Sequence, residues 1–459
     1  MTKKFTLLNY EETLDQKVSL REALPLTHLA RFTVEIIAQL DLSKIYAHFS
    51  VLGGGTAIAP EILLALLFYG YATGVFSSRK LEQATYENLA FRFVSNNLHP
   101  DHATIANFRK TFRVEIQNLF VELLMLAEMA GILKLENLSG DGTKIHADAS
   151  KSKAVSYKRL EKMEAELRQD VEKLFALAEK AEQGEVQLPA DWFPGNEIML
   201  RQERLAKLAE AKAVLKARAQ ERYQLEQAEY EAKLREREEK AQKSGRKPGG
   251  TPPQPPNAQP RATDQYNFTD PESRIMKNSN NAGFDQHYNA QIGVDQKARL
   301  IVAVTLSNHP NDKREVEPIL DAIPPEIGQP DAAAFDNGFY SEANVKACQR
   351  RGVTPYIATG REPHHLSWES FLEELGAAPG VGATPKEQMA YQLRTKIGQT
   401  IYRLRKSTVE PVIGIIKEVL GFRQFSLRGL AAALGEWYLV CIAYNLKRMC
   451  TLYQAKGLL

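Results

Sequence analysis

The stretch Tyr402-Arg-Leu-Arg-Lys-Ser-Thr-Val-Glu-Pro-Val-Ile-Gly-Ile-Ile-Lys417 reads as a basic helix holding one acid, Glu410. From Lys396 to Arg428 there are seven Lys and Arg (396, 403, 405, 406, 417, 423 and 428) against two Glu, 410 and 418. Such a field attracts polyanions. A lone carboxylate kept inside it calls for a partner, and a metal ion acting on a phosphate is the natural one. Two further acids lie far upstream at the ends of apolar, strand-like runs. They are Asp141 in Leu138-Ser-Gly-Asp-Gly-Thr-Lys-Ile145 and Asp336 in Ala332-Ala-Ala-Phe-Asp-Asn-Gly338. Phosphoryl transfer with two metal ions needs carboxylates on different elements converging on ions about 3.5–4 Å apart. Carboxylates suit Mg²⁺, with Mn²⁺ as a substitute. Gly142 and Gly338, beside the two Asp, allow close backbone approach to phosphate. Asp-Gly alone is a common turn; the three acids in the order strand, strand, helix carry the reading.

Composition bounds the alternatives. A chain of 459 residues holds two to four structural units. The formal net charge is only +3, so basic residues matter through clustering. Cys348, Cys441 and Cys450 share no metal-ligand spacing and read as reduced structural thiols. The start, Met1-Thr-Lys-Lys-Phe-Thr-Leu-Leu8, is too short and polar for a signal peptide. No apolar run reaches the roughly 20 residues of a membrane span. The most apolar segment, Ile62 to Tyr71, meets glycines at 70 and 74. A cytoplasmic, nucleoid-associated protein is expected.

Residues 1–137 read as helical, with helices expected at Leu29–Leu40, Glu61–Tyr71, Ser78–Glu87, Leu89–Asn96 and Thr104–Leu133. Pro100 and Asp101 can cap a helix whose Thr104, Asn107, Arg109 and Lys110 offer donors to phosphates or base edges. An ordinary solvated helix face is the plain alternative. Residues 138–156 read as a strand ending in Asp141 and a basic loop. From Tyr157 to Gly245 the composition shifts to Glu, Lys, Arg, Ala, Leu and Gln, with apolar residues every three or four. That is a charged helical hairpin, broken near Pro189 and Pro194. Its mixed charge suits a solvated arm or dimer strut better than a DNA clamp. Residues 246–263, rich in Pro, Gly and Gln, form a linker. Residues 264–459 return to α/β text. Strands are expected at Tyr288–Val294, Leu300–Leu306, Ala332–Phe335 and Val353–Ile357, with helices at Val316–Ile323 and Ser341–Arg351. The helix carrying Glu410 and an apolar helix from about Leu430 to Leu452 follow. This order is that of an α/β, RNase H-like catalytic core with a mixed sheet. A long helical hairpin interrupts it after the first strand, and an all-helical N-terminal DNA-binding domain precedes it.

Asp141-Gly-Thr-Lys-Ile-His-Ala147, Asp336-Asn-Gly-Phe-Tyr-Ser-Glu342 and Val409-Glu-Pro-Val-Ile-Gly-Ile-Ile-Lys417 resemble the three catalytic blocks of the DDE transposases of bacterial insertion sequences. The last block resembles that family's Tyr-Arg-Glu-Lys signature through Tyr402, Glu410 and Lys417, with Arg405 or Lys406 in the basic position. Leu63 to Phe108 is similar to the family's helical N-terminal domain. Pro271-Glu-Ser-Arg-Ile-Met276 and Tyr288-Asn-Ala-Gln291 resemble its approach to the second strand. The resemblance implies metal-dependent cleavage and joining of double-stranded DNA at terminal inverted repeats, with Asp141, Asp336 and Glu410 as metal ligands. It implies that Tyr402, Arg405, Lys406, Lys417 and Arg423 hold DNA, and that a homodimer synapses two ends. Trp368 falls where related enzymes carry an insertion handling the DNA end. It could stack on an unpaired base, although a packing role is the commoner one.

Weaker candidates are His146 and Asp148, which could bind a metal with Asp141 although strand alternation puts His146 on the opposite face, and His364-His365 in a surface loop. The competing functions are an RNase H-like nuclease that does not transpose and a domesticated DNA-binding protein. The second has no need of three intact acids.

Overall fold

Strand β1 (Asn137–His146) runs through the text that holds Asp141. The sequence placed Asp141 at a strand end; it lies mid-strand, because Thr143, Lys144 and Ile145 continue the extended pairing with β5 (Phe284–Asp295). This chain is described by a computed structural model covering residues 17–49, 57–189, 191–244, 251–278, 283–360, 378–380 and 382–459. Trp368 and His364-His365 lie outside the described residues.

The described residues form two compact units. The first draws on Met1–Asp148, Asn278–Gly283 and His287–Leu459, and the second on Ala149–Lys277 and Phe284–Gln286.

In the first unit, β1 pairs antiparallel with β5, and β5 pairs antiparallel with β6 (Ile301–Ser307). On its other side β1 pairs parallel with β7 (Ala332–Phe335), which pairs parallel with β8 (Thr354–Ile357). The order β6-β5-β1-β7-β8 makes a mixed sheet. Parallel neighbours need crossovers. Helices α10 (Val316–Asp321) and α11 (Glu342–Arg350) lie in the connections into β7 and β8. A mixed sheet with helices in this chain order is consistent with the expected RNase H-like core. Helix α13 (Lys396–Gly414) carries Glu410 and packs on β1 and β7, with α12 (Pro385–Arg394) before it.

The N-terminal helices are α1 (Leu29–Ile37), α2 (Ser43–Tyr46), α3 (Pro60–Ala72), α4 (Ser78–Glu87), α5 (Leu89–Val94), α6 (His102–Thr111) and α7 (Arg113–Met129). The sequence suggested one helix across Thr104–Leu133. It is two, because Phe112 leaves the helical region at φ −97°, ψ 27°. Helix α3 is buried almost all round, as its continuous apolar text requires. It packs with α7 against α14 (Leu430–Ala455), whose Trp437, Leu439, Ile442 and Leu446 are fully buried. Asn445 on α14 accepts from the Ile301 amide at 2.8 Å and donates to its carbonyl at 2.7 Å. One side chain thereby satisfies backbone groups of β6 that no strand reaches. No helix among the described residues is long and apolar enough to cross a membrane.

In the second unit, α8 (Tyr157–Glu182) and α9 (Pro194–Ser244) form the two limbs of the hairpin. A short ribbon of β2 (Ala154–Ser156) and β3 (Gln265–Asn267) lies at its base, and β4 (Arg274–Lys277) follows. Leu160, Leu208, Ala211, Leu215 and Tyr266 form its buried core. The spacing of 208, 211 and 215 places three residues on one helix face.

Candidate active site

The register of β1 against β7 brings two of the acids level. Ser139 pairs with Ala334, so the same register carried two residues further sets Asp141 beside Asp336. Neighbouring strands are about 4.8 Å apart. Gly140 is required between them, because a Cβ there would stand 2.1 Å from the Phe335 ring. Asp336 follows the last residue of β7 and accepts from the Gly338 amide at 2.8 Å. Asp141 Oδ1 accepts from the Gly142 amide at 2.8 Å.

Side chains two apart on a strand share a face, so Ser139 and Asp141 both look toward α13. Thr408 Oγ1 on α13 lies 2.9 Å from Ser139 Oγ, and Gln296 donates to that hydroxyl from β5's end at 2.9 Å. This buried polar junction fixes the helix over the strand. Arg405, one turn before Thr408, then reaches the acids. Its Nη1 donates to Asp141 Oδ2 at 3.3 Å and its Nη2 to Glu410 Oε1 at 3.0 Å. The arginine side chain is 8% exposed, Asp141 18% and Glu410 47%. One buried cation thus joins the first and third acids.

Burial pushes the Asp141 carboxyl up to about 7. Arg405 and the Gly142 amide oppose that shift, while the charges of Asp336 and Asp312 add to it. Burial therefore outweighs the ion pair. Without a bound cation, the native state keeps a proton on Asp141 that the unfolded chain gives up near pH 4. This contribution to stability is full below about pH 4, declines as pH rises to about 7 and is absent above. In EDTA, the thermal midpoint of Asp141→Asn should therefore gain on wild type across pH 4–7 and level off above. A midpoint difference that does not vary with pH would show that the carboxyl is not raised.

Tyr402 was expected to meet DNA. It is buried among Ala332, Ala334, Tyr356 and Ala358, with the Arg405 guanidinium carbon 5.8 Å from its ring centre. Of the two basic candidates, Arg405 turns inward to the acids, and Lys406 is exposed. Arg423 is exposed and ion-paired with Glu418. Lys417 departs from the simple helical picture. After Pro411, which lacks an amide hydrogen, α13 passes into a π-helical turn, Ile415–Val419. That turn changes the angular offset from Glu410. Lys417 Nζ donates to the Lys144 carbonyl on β1 at 3.0 Å, and burial lowers its pKa. Lys417→Ala should therefore cost about 1–2 kcal/mol in chemical denaturation, because the carbonyl loses its partner. An unchanged midpoint would show that the amine makes no such bond.

On α6, Asn107 and Lys110 are exposed and Thr104 is half-buried, its hydroxyl donating to the capping Asp101 at 2.7 Å. Arg109 turns the other way. It is 8% exposed and donates to the Tyr71 hydroxyl at 2.7 Å, so it sits in the interior and not at a DNA-facing surface. Gly142, expected to admit phosphate, instead faces the Gln291 carboxamide, 2.3 Å from where a Cβ would stand. His146 meets His287 ring to ring, with centroids 4.3 Å apart and planes tilted by 34°. Sequence reasoning missed Asp312, which the fold brings near Asp141 and Asp336. Its signal was an acid in the loop closing the third strand of the sheet.

The donors fit a hard divalent cation in kind, being carboxylates free of thiol or imidazole. As placed, no three His, Cys, Asp or Glu among the described residues are gathered closely enough to hold one ion, and Arg405 supplies the positive charge.

Two family models match the chain. One, described as a transposase DDE domain, covers residues 261–446. The other, described as a transposase domain (DUF772), covers residues 18–111. The chain belongs to the DDE transposases of insertion sequences. No curated protein and no solved structure matches it. Within this transposase, the DDE match contains Asp336 and Glu410, and the second match spans α1 to α6. Asp141 lies between the two matches, so its place in the site rests on the β1–β7 register and on Arg405.

Proposed function

We propose that this transposase binds the terminal inverted repeats of an insertion sequence, cuts the DNA at their ends and joins the exposed 3′-hydroxyl to target DNA. The observation that carries this reading is the β1–β7 register, which carried two residues further sets Asp141 beside Asp336 just past the end of β7, with Glu410 linked to Asp141 through Arg405. The family match adds that DDE transposases use divalent metals. Here Asp141, Asp336 and Glu410 hold Mg²⁺, for which Mn²⁺ can substitute. A divalent metal held by these residues would supply charge neutralisation at the phosphate and a more reactive attacking oxygen. The carboxyl of Asp141 must be ionised to hold a cation, so a proton and a metal compete for it.

The remaining residues position the acids and the DNA. Arg405 orients Asp141 and Glu410, and Tyr402 supports Arg405 from beneath. Lys406 and Arg423 meet the backbone of the cleaved end, and Lys417 braces the strand beside them. Thr104, Asn107 and Lys110 present the N-terminal DNA-binding face, which Arg109 holds in shape. Residues 1–137 act as the end-binding domain and the hairpin of 157–245 as an arm. A homodimer brings two ends together.

The test is incubation of the full chain with DNA carrying the repeats that flank its gene. Mg²⁺-dependent nicks at the repeat tips, absent in EDTA, are expected. Binding without any cut in Mg²⁺ or Mn²⁺ would leave only a DNA-binding protein. Cutting without end preference would favour a nuclease.

A further inference from the structure

The loop after β6, residues 308–315, is pinned along its length. Glu315 is buried, and its Oε1 accepts from the Ser307 hydroxyl at 2.9 Å and lies 2.8 Å from His309 Nδ1. Asp312 Oδ1 accepts from Asn289 Nδ2 at 2.8 Å and from Gln291 Nε2 at 2.6 Å, both on β5. Asn344, buried on α11, donates to the Lys313 carbonyl at 2.9 Å and to the Phe339 carbonyl at 2.6 Å. Phe339 belongs to the loop that carries Asp336, so one side chain clamps the two loops together. They meet at Gly338, where a Cβ would stand 3.0 Å from Asp336 Oδ1 and 3.6 Å from Asp312 Oδ2.

This pinned loop carries two cations. Lys313 and Arg314 are exposed, and neither is ion-paired among the described residues. The acids around them are committed elsewhere. Asp312 and Glu315 serve as anchors of the loop. Glu317 and Asp321 on α10 pair with Arg351 at 2.9 and 2.6 Å, and Glu317 also with Arg350 at 3.4 Å. Two adjacent like charges are therefore left to solvent and its counterions, on a backbone held against the Asp336 loop. Phosphates that take the place of such counterions release them, which is the main source of affinity for DNA. The anchors also lower the cost of ordering the loop when a ligand binds.

We propose that Lys313 and Arg314 form a phosphate-binding site for the DNA backbone next to the point of cleavage. This rests on the assignment of Asp336 to the cleavage site.

The experiment is a salt titration of DNA binding by the full chain, read by fluorescence anisotropy in EDTA. It compares wild type with the double variant Lys313→Gln, Arg314→Gln on two duplexes. One carries the terminal repeat and runs past the cleavage point; the other stops one helical turn inside it. On the longer duplex the double variant should lose about 1.8 from the slope of log K against log salt, two contacts at about 0.9 each. On the shorter duplex its slope should equal that of wild type, and its unfolding midpoint should be unchanged because both side chains are exposed. An unchanged slope on the longer duplex would overturn the proposal. An equal loss on both duplexes would place the contact away from the cut and overturn it as well. If the double variant does not fold, each single variant is read against a loss of about 0.9 on the longer duplex alone. If wild type does not prefer repeat DNA to an unrelated duplex of the same length, the end-binding reading fails, while the slope difference still judges the loop.

Discussion

Asp336→Asn abolishes cleavage of element-end DNA while leaving its binding within about twofold of wild type. The change is nearly isosteric, and the side-chain oxygen still accepts from the Gly338 amide. What disappears is one negative charge from a set that must hold a divalent cation against a phosphate. Losing such a ligand costs several kcal/mol of transition-state stabilisation, so a fall of at least about 10³-fold is expected. Asp141→Asn and Glu410→Gln act alike, each keeping an acceptor for Arg405. Single-turnover cleavage and gel-shift titration measure the two quantities. A variant that keeps a tenth of the wild-type rate would remove that residue from the site.

The largest effect on stability belongs to Arg109. Glu436 on α14 is buried and accepts from the Ser426 and Leu427 amides at 2.8 and 3.1 Å and from the Ser426 and Tyr71 hydroxyls. Arg109 Nη1 stands 3.8 Å from Glu436 and is the cation facing it. Removing one partner of a buried pair leaves an uncompensated charge, at about 3–5 kcal/mol. Arg109→Met should lose about that much in denaturant unfolding, and adding Glu436→Gln should recover part of it. Lys110→Ala, on the exposed side of the same helix, should leave unfolding unchanged. It should weaken DNA binding and flatten the salt dependence by about one phosphate contact. Equal stability of Arg109→Met and wild type would return Arg109 to the candidate DNA-facing residues.

These contrasts mark what the sequence made legible. The order of strands and helices was readable because β7, α4 and the break between α8 and α9 are written in local signals: an apolar run, a helical period, two prolines. The three acids stood out because each interrupts a pattern, and the fold links two of them, Asp141 and Glu410, through Arg405. What local text did not specify was direction. Arg405 and Lys406 are adjacent and chemically similar, yet one is buried against Asp141 and the other is exposed. Only the docking of α13 on β1 through Ser139 and Thr408 decides which. Arg109 and Lys110 differ in the same way, since helical rotation turns neighbours about 100° apart. Asp312 was invisible for a different reason. It contributes no periodic signal, and its neighbours on β5 are set by pairing across the sheet.

The most direct test of the account is strand transfer by the full chain, using pre-cut element ends with a free 3′-hydroxyl, a supercoiled target plasmid and Mg²⁺. The account predicts end DNA covalently joined to the target, no joining in EDTA, and none with Asp141→Asn, Asp336→Asn or Glu410→Gln. Joining that persists in any of those three variants, or wild-type protein that only hydrolyses DNA under the same conditions, would contradict it.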